Sequence, residues 1–138
     1  MLAKIFSGVT IGLDGVLIEV EVDVAQRGLP TFIIVGLPSK AVDESKDRVR
    51  TAIINSSFDI PESRVTINLA PADIPKEGSS FDLPIAVGIL AASGAISQEL
   101  LETSLFIGEL SLEGIVREVN GIISIAVMAK KKKLKNIF

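Results

Sequence analysis

The run Pro75-Lys76-Glu77-Gly78-Ser79-Ser80 holds the residues of this chain best suited to chemistry. Gly78 lets the backbone turn tightly, and the serines stand just before an apolar run, Leu83 to Ala92. A serine where a helix begins has unpaired amide donors beside it, and such donors can hold an oxyanion or a phosphate. A serine nucleophile also needs a base. The chain has no His, so only a lysine could serve, and Lys76 with Ser80 is the pair to consider. Helix capping accounts for the same residues. Ser79 and Asp82 have the S-x-x-D spacing of a capping box, which leaves Pro84 at an awkward fifth helical position. Asp82 as the cap would bring Pro84 into the first turn. Capping, contact with a ligand or partner, and nucleophilic attack are all open to these serines on spacing alone.

Other chemistries are narrowed by what is missing. With no Cys, disulfides, zinc–thiolate sites and thiol catalysis are excluded. With no His, the usual general base and the commonest metal ligand are gone. No G-x-x-x-x-G-K-[ST] run occurs, so the chain has no Walker A loop of its own. Glu19, Glu21 and Asp23 alternate along one stretch, as an exposed strand face would, and no further ligand motif accompanies them. Lys130 to Lys133 reads as a solvated helix end that could touch phosphates. The net charge of −3 argues against a general nucleic-acid binder.

The elements that must position the serine loop follow from periodicity. Lys4 to Gly12 reads as a strand, with a turn at Leu13-Asp14-Gly15. Val16 to Val24 alternates most clearly: Val16, Ile18, Val20, Val22 and Val24 take one face and the acids the other. Phe32 to Val35 is short and wholly apolar, so both its faces should be covered. Ser39 is a plausible N-cap for a helix over 40–56, with Ala41, Val42, Ser45, Val49, Ala52 and Ile53 inward and Arg48 and Arg50 on the wet face. Arg64 to Leu69 alternates as a strand, and a buried helix over 81–93 ends at Gly94. Strands at Ser104 to Leu110 and Ile115 to Val119 flank a turn at Glu113-Gly114, and a last helix opens at Asn120 or Gly121. The pattern is α+β, a single domain over 1–138 with a mostly antiparallel sheet and helices packed on one side. The core must be aliphatic, since there is no Trp or Tyr and only six Phe. No signal peptide or membrane span is legible, so a cytoplasmic domain is expected, and the strand-like end at Leu134 to Phe138 reads as a cut.

Several motifs in order carry a resemblance. Asn68-Leu69-Ala70-Pro71-Ala72-Asp73, Lys76 to Ala86, Val35-Gly36-Leu37-Pro38 and Gly108 to Gly114 together resemble the N-terminal domain of the magnesium-chelatase-like AAA+ ATPases, the YifB/ComM family. That domain is similar to the proteolytic domain of Lon and to the C-terminal domain of RadA/Sms. The resemblance implies a ribosomal protein S5 domain 2-like fold. Lon-type proteases carry a Pro-Lys-Asp-Gly-Pro-Ser motif whose serine falls on Ser80. Their lysine, laid on Asn120-Gly121-Ile122-Ile123-Ser124-Ile125, falls on Ile125, which cannot take a proton. Lys130 lies over a turn further on. The resemblance therefore implies a Lon-like fold without protease activity, Ser80 being a vestigial nucleophile position. It further implies an accessory role beside an AAA+ domain of the same polypeptide, in a homo-hexameric DNA helicase and branch-migration motor of natural transformation. ATP and magnesium would belong to that parent, with no cofactor in this chain. If DNA or a partner is touched, the candidates are Lys76, Gly78, Ser79, Ser80, Arg48, Arg50 and the Lys130 cluster. The rival expectations are a serine hydrolase using Ser80 with Lys76, and a free-standing nucleic-acid-binding module.

Overall fold

A computed structural model describes residues 1–138. Alternation along the longest strands sets the architecture. Strand β1 (Leu2–Ile11) pairs antiparallel with β2 (Asp14–Val24), and the register Ile11↔Asp14 leaves only Gly12 and Leu13 for the turn. Gly12 has φ 62°, which a two-residue loop with glycine at its first position requires. The turn therefore precedes the Asp-Gly pair on which the sequence placed it. Ile18, Val20, Val22 and Val24 of β2 are buried on one face, as the alternation predicts.

β4 (Arg64–Ala70) pairs antiparallel with β2 on its other side, and β3 (Thr31–Val35) lies parallel to β4 at the sheet edge. Beyond β1 come β5 (Ser104–Leu105) and, at the far edge, β8 (Asn136–Ile137), both parallel. The order is β3-β4-β2-β1-β5-β8. The sheet is mixed: its two longest ladders are antiparallel and the other three pairings are parallel. A second, two-stranded sheet joins β6 (Glu109–Leu110) to β7 (Val116–Arg117).

Four helices complete the fold. Ser39 caps α1 (Lys40–Asp43), its Oγ accepting from the Val42 N–H at 3.3 Å. The expected single helix is interrupted at Glu44, after which α2 (Ser45–Asn55) continues. Helix α3 (Asp82–Ala92) places Pro84 in its first turn and closes on Gly94 in a Schellman arrangement, with Ala95 N–H to Leu90 O at 2.8 Å. Helix α4 (Ile122–Lys131) follows Gly121.

The helices do not share one side of the sheet, which corrects the expected layering. Gly88 of α3 lies against Val22 and Ile5, and α2 packs on α3, over one face. α4 lies against Gly8 and Gly15, an odd number of residues from those partners, and so covers the opposite face. A Cβ on Gly15 would sit 2.4 Å from the Ser124 carbonyl oxygen, so that position holds glycine for the helix, not for the turn. Two cores result: 23 buried residues on the α2–α3 side, and five (Leu105, Ile107, Ile125, Met128 and Ala129) under α4.

Two other expectations are corrected. β3 is an edge strand on which only Phe32 and Ile34 turn inward, while Ile33 and Val35 are 42% and 44% exposed. The strand expected over 104–110 is divided into β5 and β6, because Gly108 leaves the sheet to bond the start of α3, donating to Ser80 O at 2.9 Å and accepting from Leu83 N–H at 3.0 Å. No helix is long and apolar enough to cross a membrane.

Candidate functional site

The loop between β4 and α3 opens into a cleft of about 450 Å³. Pro75, Gly78, Ser79 and Ser80 form one wall, Gly8 to Thr10 of β1 another, and Glu109, Glu118 and Asn120 much of the rest. Ile125 of α4 closes it. Ser80 and Ile125 thus line the same space, although 45 positions apart in the chain.

The serines are not caps. Ser79 Oγ donates to the Glu109 carboxylate, and Asp82 turns away from the loop, so the S-x-x-D capping box does not form. Tied at its carbonyl to Gly108, Ser80 lends its side chain to the cleft lining. The N–H groups of Gly78, Ser79 and Ser80 have no protein acceptor. Those donors alone would suit an anion. The lining, however, includes three carboxylates, Glu77, Glu109 and Glu118, and no lysine or arginine. A phosphate entering here would meet uncompensated like charge, so the cleft is poorly suited to a nucleic-acid backbone.

Lys76 faces elsewhere. It is fully enclosed, and its Nζ donates to Gly36 O at 2.8 Å and to Pro71 O. Its backbone joins the same junction: Ser39 N–H donates to Lys76 O at 2.9 Å, and Lys76 N–H to Leu37 O at 3.2 Å. Burial pushes its ammonium below the ordinary lysine range, with Asp73 opposing that shift. Lys76 is therefore neither a base for Ser80 nor a solvent-facing phosphate contact, which corrects both readings of it. It ties the β3–α1 connection to the loop after β4.

Arg48 is a second structural tie. Its Nε and Nη2 grip the two oxygens of Asp82 at 2.7 and 3.1 Å. Asp82 is fully buried and also accepts from the Leu110 N–H at 3.1 Å. The hydrogen bonds it donates to Asp82, then the charges of Asp82 and Glu109, raise the Arg48 pKa further against the opposing effect of burial. Arg48 therefore leaves the wet face of α2, where sequence put it, and locks α2, α3 and β6 together. Arg50 is exposed beside a separate groove with Pro30, Phe32 and Pro61. Lys130 to Lys133 are exposed at the end of α4. Of the candidate contact residues, only Gly78, Ser79 and Ser80 meet in the cleft; sequence reasoning nominated none of its carboxylates, Glu77, Glu109 and Glu118, of which Glu109 bonds Ser79. The one signal for Glu109 was its place in Gly108-Glu109-Leu110, a segment noted for likeness and not for chemistry. No three acidic side chains converge as metal ligands would.

Comparison with known proteins agrees in direction. Residues 20–138 match the family described as "Subunit ChlI of Mg-chelatase". The competence protein ComM of Haemophilus influenzae is 47% identical over 132 residues, covering 96% of this chain and 26% of the relative. The YifB protein of Salmonella typhimurium is 48% identical over 128 residues, 93% of this chain and 25% of the relative. That of Escherichia coli is 46% identical over 136 residues, 99% and 27%. The chain spans about a quarter of the length of these curated relatives.

Proposed function

The chain belongs to the family of subunit ChlI of magnesium chelatase, and from that membership we propose that it is a non-catalytic, Lon-like accessory domain of a ComM- and YifB-type AAA+ ATPase. The α+β sheet with α3 entering from a serine loop is read as the ribosomal protein S5 domain 2-like fold. The observation that carries the proposal is the make-up of the cleft. Ser80 faces it, and the position across from it is Ile125, which has no lone pair to accept a proton. Lys76 spends its ammonium on two backbone carbonyls. A serine–lysine hydrolase would here have a nucleophile and no lysine.

On this reading ATP and magnesium bind the parent at a site outside these 138 residues, and the parent is a cytoplasmic hexamer that unwinds branched DNA in recombination and natural transformation. The relative named as a competence protein supports that last step. The acidic cleft does not carry the DNA; exposed Arg50 and Lys130 to Lys133 are among the groups available to phosphates. The test uses the full-length parent, assembled with ATP and magnesium on a branched DNA. Wild type and Ser80→Ala are expected to unwind it equally, with no labelling by a serine-reactive phosphonate. Labelling that disappears in Ser80→Ala, or the absence of ATP-dependent unwinding, would overturn the proposal.

A further inference from the structure

The sheet is covered unequally on its two faces. On the α2–α3 side the cover runs from β1 to β3, since Ile34, Ile67, Val22 and Ile5 all belong to one core. On the other side α4 seats on Gly8, Gly15, Leu17 and Leu105, over β2, β1 and β5, and no residue of β3 or β4 joins its core. The register fixes what lies bare beside it. Ile33, Thr66 and Asp23 stand in one cross-strand row, and Val35, Asn68 and Glu21 in the next. In-register neighbours point the same way, so all six share the uncovered face. It carries two half-exposed aliphatic side chains, Ile33 and Val35 on β3, then Thr66 and Asn68 on β4, then a column of carboxylates on β2. Glu19 of that column is paired with Lys4 at 3.2 Å. Glu21 accepts only from the neutral amide of Asn68, and Asp23 meets only the chain's terminal amine, at 4.0 Å.

The ridge that α4 makes on the same side has a matching composition. Ile125, Met128 and Ala129 turn down onto the sheet. Ile123 and Val127, 79% and 51% exposed, turn up, and helical spacing continues their stripe into Lys130 and Lys131. An apolar-then-basic ridge therefore stands beside an apolar-then-acidic step, on one side of one sheet. Two surfaces so placed are complementary to themselves about a twofold axis, the arrangement of an isologous dimer.

We propose that two copies of this chain pair in this way, each laying Ile123, Val127, Lys130 and Lys131 of α4 on the bare rows of the other's sheet, which run from Ile33 and Val35 across Thr66 and Asn68 to Glu21 and Asp23. The two α4 helices then lie side by side between two sheets. Lysines meet the carboxylates that lack a cationic side-chain partner, and the aliphatic rows close on each other. The contact needs no ATP and no DNA; within the proposed hexamer it would join subunits in pairs, covering Lys130 and Lys131 and leaving Arg50, Lys132 and Lys133 to phosphates.

Sedimentation of this chain over a range of concentrations tests it. A species of twice the 14.6 kDa chain mass is expected, weakening as salt is added. Lys130→Glu with Lys131→Glu, and separately Glu21→Lys with Asp23→Lys, should each weaken the dimer by at least about tenfold, by setting like charges opposite one another. An equimolar mixture of the two variants should restore a dimer, because each then offers the other its reversed complement. Circular dichroism of each variant confirms that these surface exchanges leave the fold intact. A chain that stays monomeric at its solubility limit would overturn the proposal. So would a dimer that both variants keep, or a mixture that stays monomeric, or assembly beyond the dimer, which marks a head-to-tail contact.

Discussion

Asp82 and Lys76 show how far a charged residue's role can lie from its sequence neighbourhood. Asp82 sits at the spacing of a helix cap, yet its carboxylate is buried and satisfied by Arg48, 34 positions away, and by the Leu110 amide. Nothing local encodes that pairing, which is why the sequence left Arg48 on a wet helix face. Arg48→Ala would strand the carboxylate in the interior. A loss of about 3–5 kcal/mol in unfolding free energy is expected, against a smaller loss for Arg48→Lys, which keeps the charge and gives up the fork. Urea denaturation of the two variants measures the difference. Lys76 carries a signature in pH. Its pKa in the fold is lowered from about 10.5, chiefly by burial. Below the folded value the ammonium is charged in both states, and the fold bears its desolvation. Between the folded value and about 10.5 the unfolded chain binds more protons, so stability rises with pH through that window. With Lys76→Met that rise should flatten. Urea midpoints taken from pH 8 upward would show the two curves diverging. Parallel curves would mean that Lys76 is solvated.

Elements were legible in proportion to how one-sided their surroundings are. β2 alternates cleanly because its buried face is continuous, and α3 reads as apolar all round because it is enclosed. The placement of α4 was not legible. It depends on Gly8, which reads only as a small strand residue, and on Gly15, which looks like a turn residue until the helix is seen lying on it. The two glycines should respond differently to a methyl group. At Gly15 the new Cβ would meet the Ser124 carbonyl oxygen at 2.4 Å, part of a helix backbone that cannot step aside. At Gly8 the nearest atom is the terminal methyl of Met128 at 3.0 Å, at the end of a flexible side chain. Gly15→Ala is therefore expected to cost about 2–3 kcal/mol and Gly8→Ala roughly 1 kcal/mol or less, read from thermal or urea unfolding. The far end of α4 offers the opposite sign. Leu134 N–H donates to Ala129 O at 3.0 Å and Lys133 N–H to Lys130 O at 3.0 Å, the two bonds of a Schellman cap, but the left-handed residue is Lys133, with φ 60°. Lys133→Gly should relieve that conformation and stabilise the chain by about 0.5–1 kcal/mol.

For the molecule as a whole, the two faces of the sheet are unequal partners in stability. The α2–α3 side holds 23 buried residues in one cluster, crossed by the Arg48–Asp82 pair and the Lys76 junction. The α4 side holds five, and β8 is attached through a two-residue ladder to β5. Burial of apolar area dominates the free energy that holds an element in place, so α4 and β8 are secured by far less than α3. Local opening follows such differences, and the weaker side should release first while the central ladders stay paired. Amide hydrogen exchange in the native chain tests this. Protection in α4, Ile122 to Lys131, should fall at denaturant concentrations where α3 and the β1–β2–β4 ladders are still protected, and β8 should be lost with it. The cleft shares its Ile125 wall with α4, so Ser80, already partly exposed there, would become more so in that opened form without global unfolding. Equal protection in α3 and α4 at every denaturant concentration would mean that the two cores unfold as one unit, with the five residues under α4 as firmly held as the 23 on the other face.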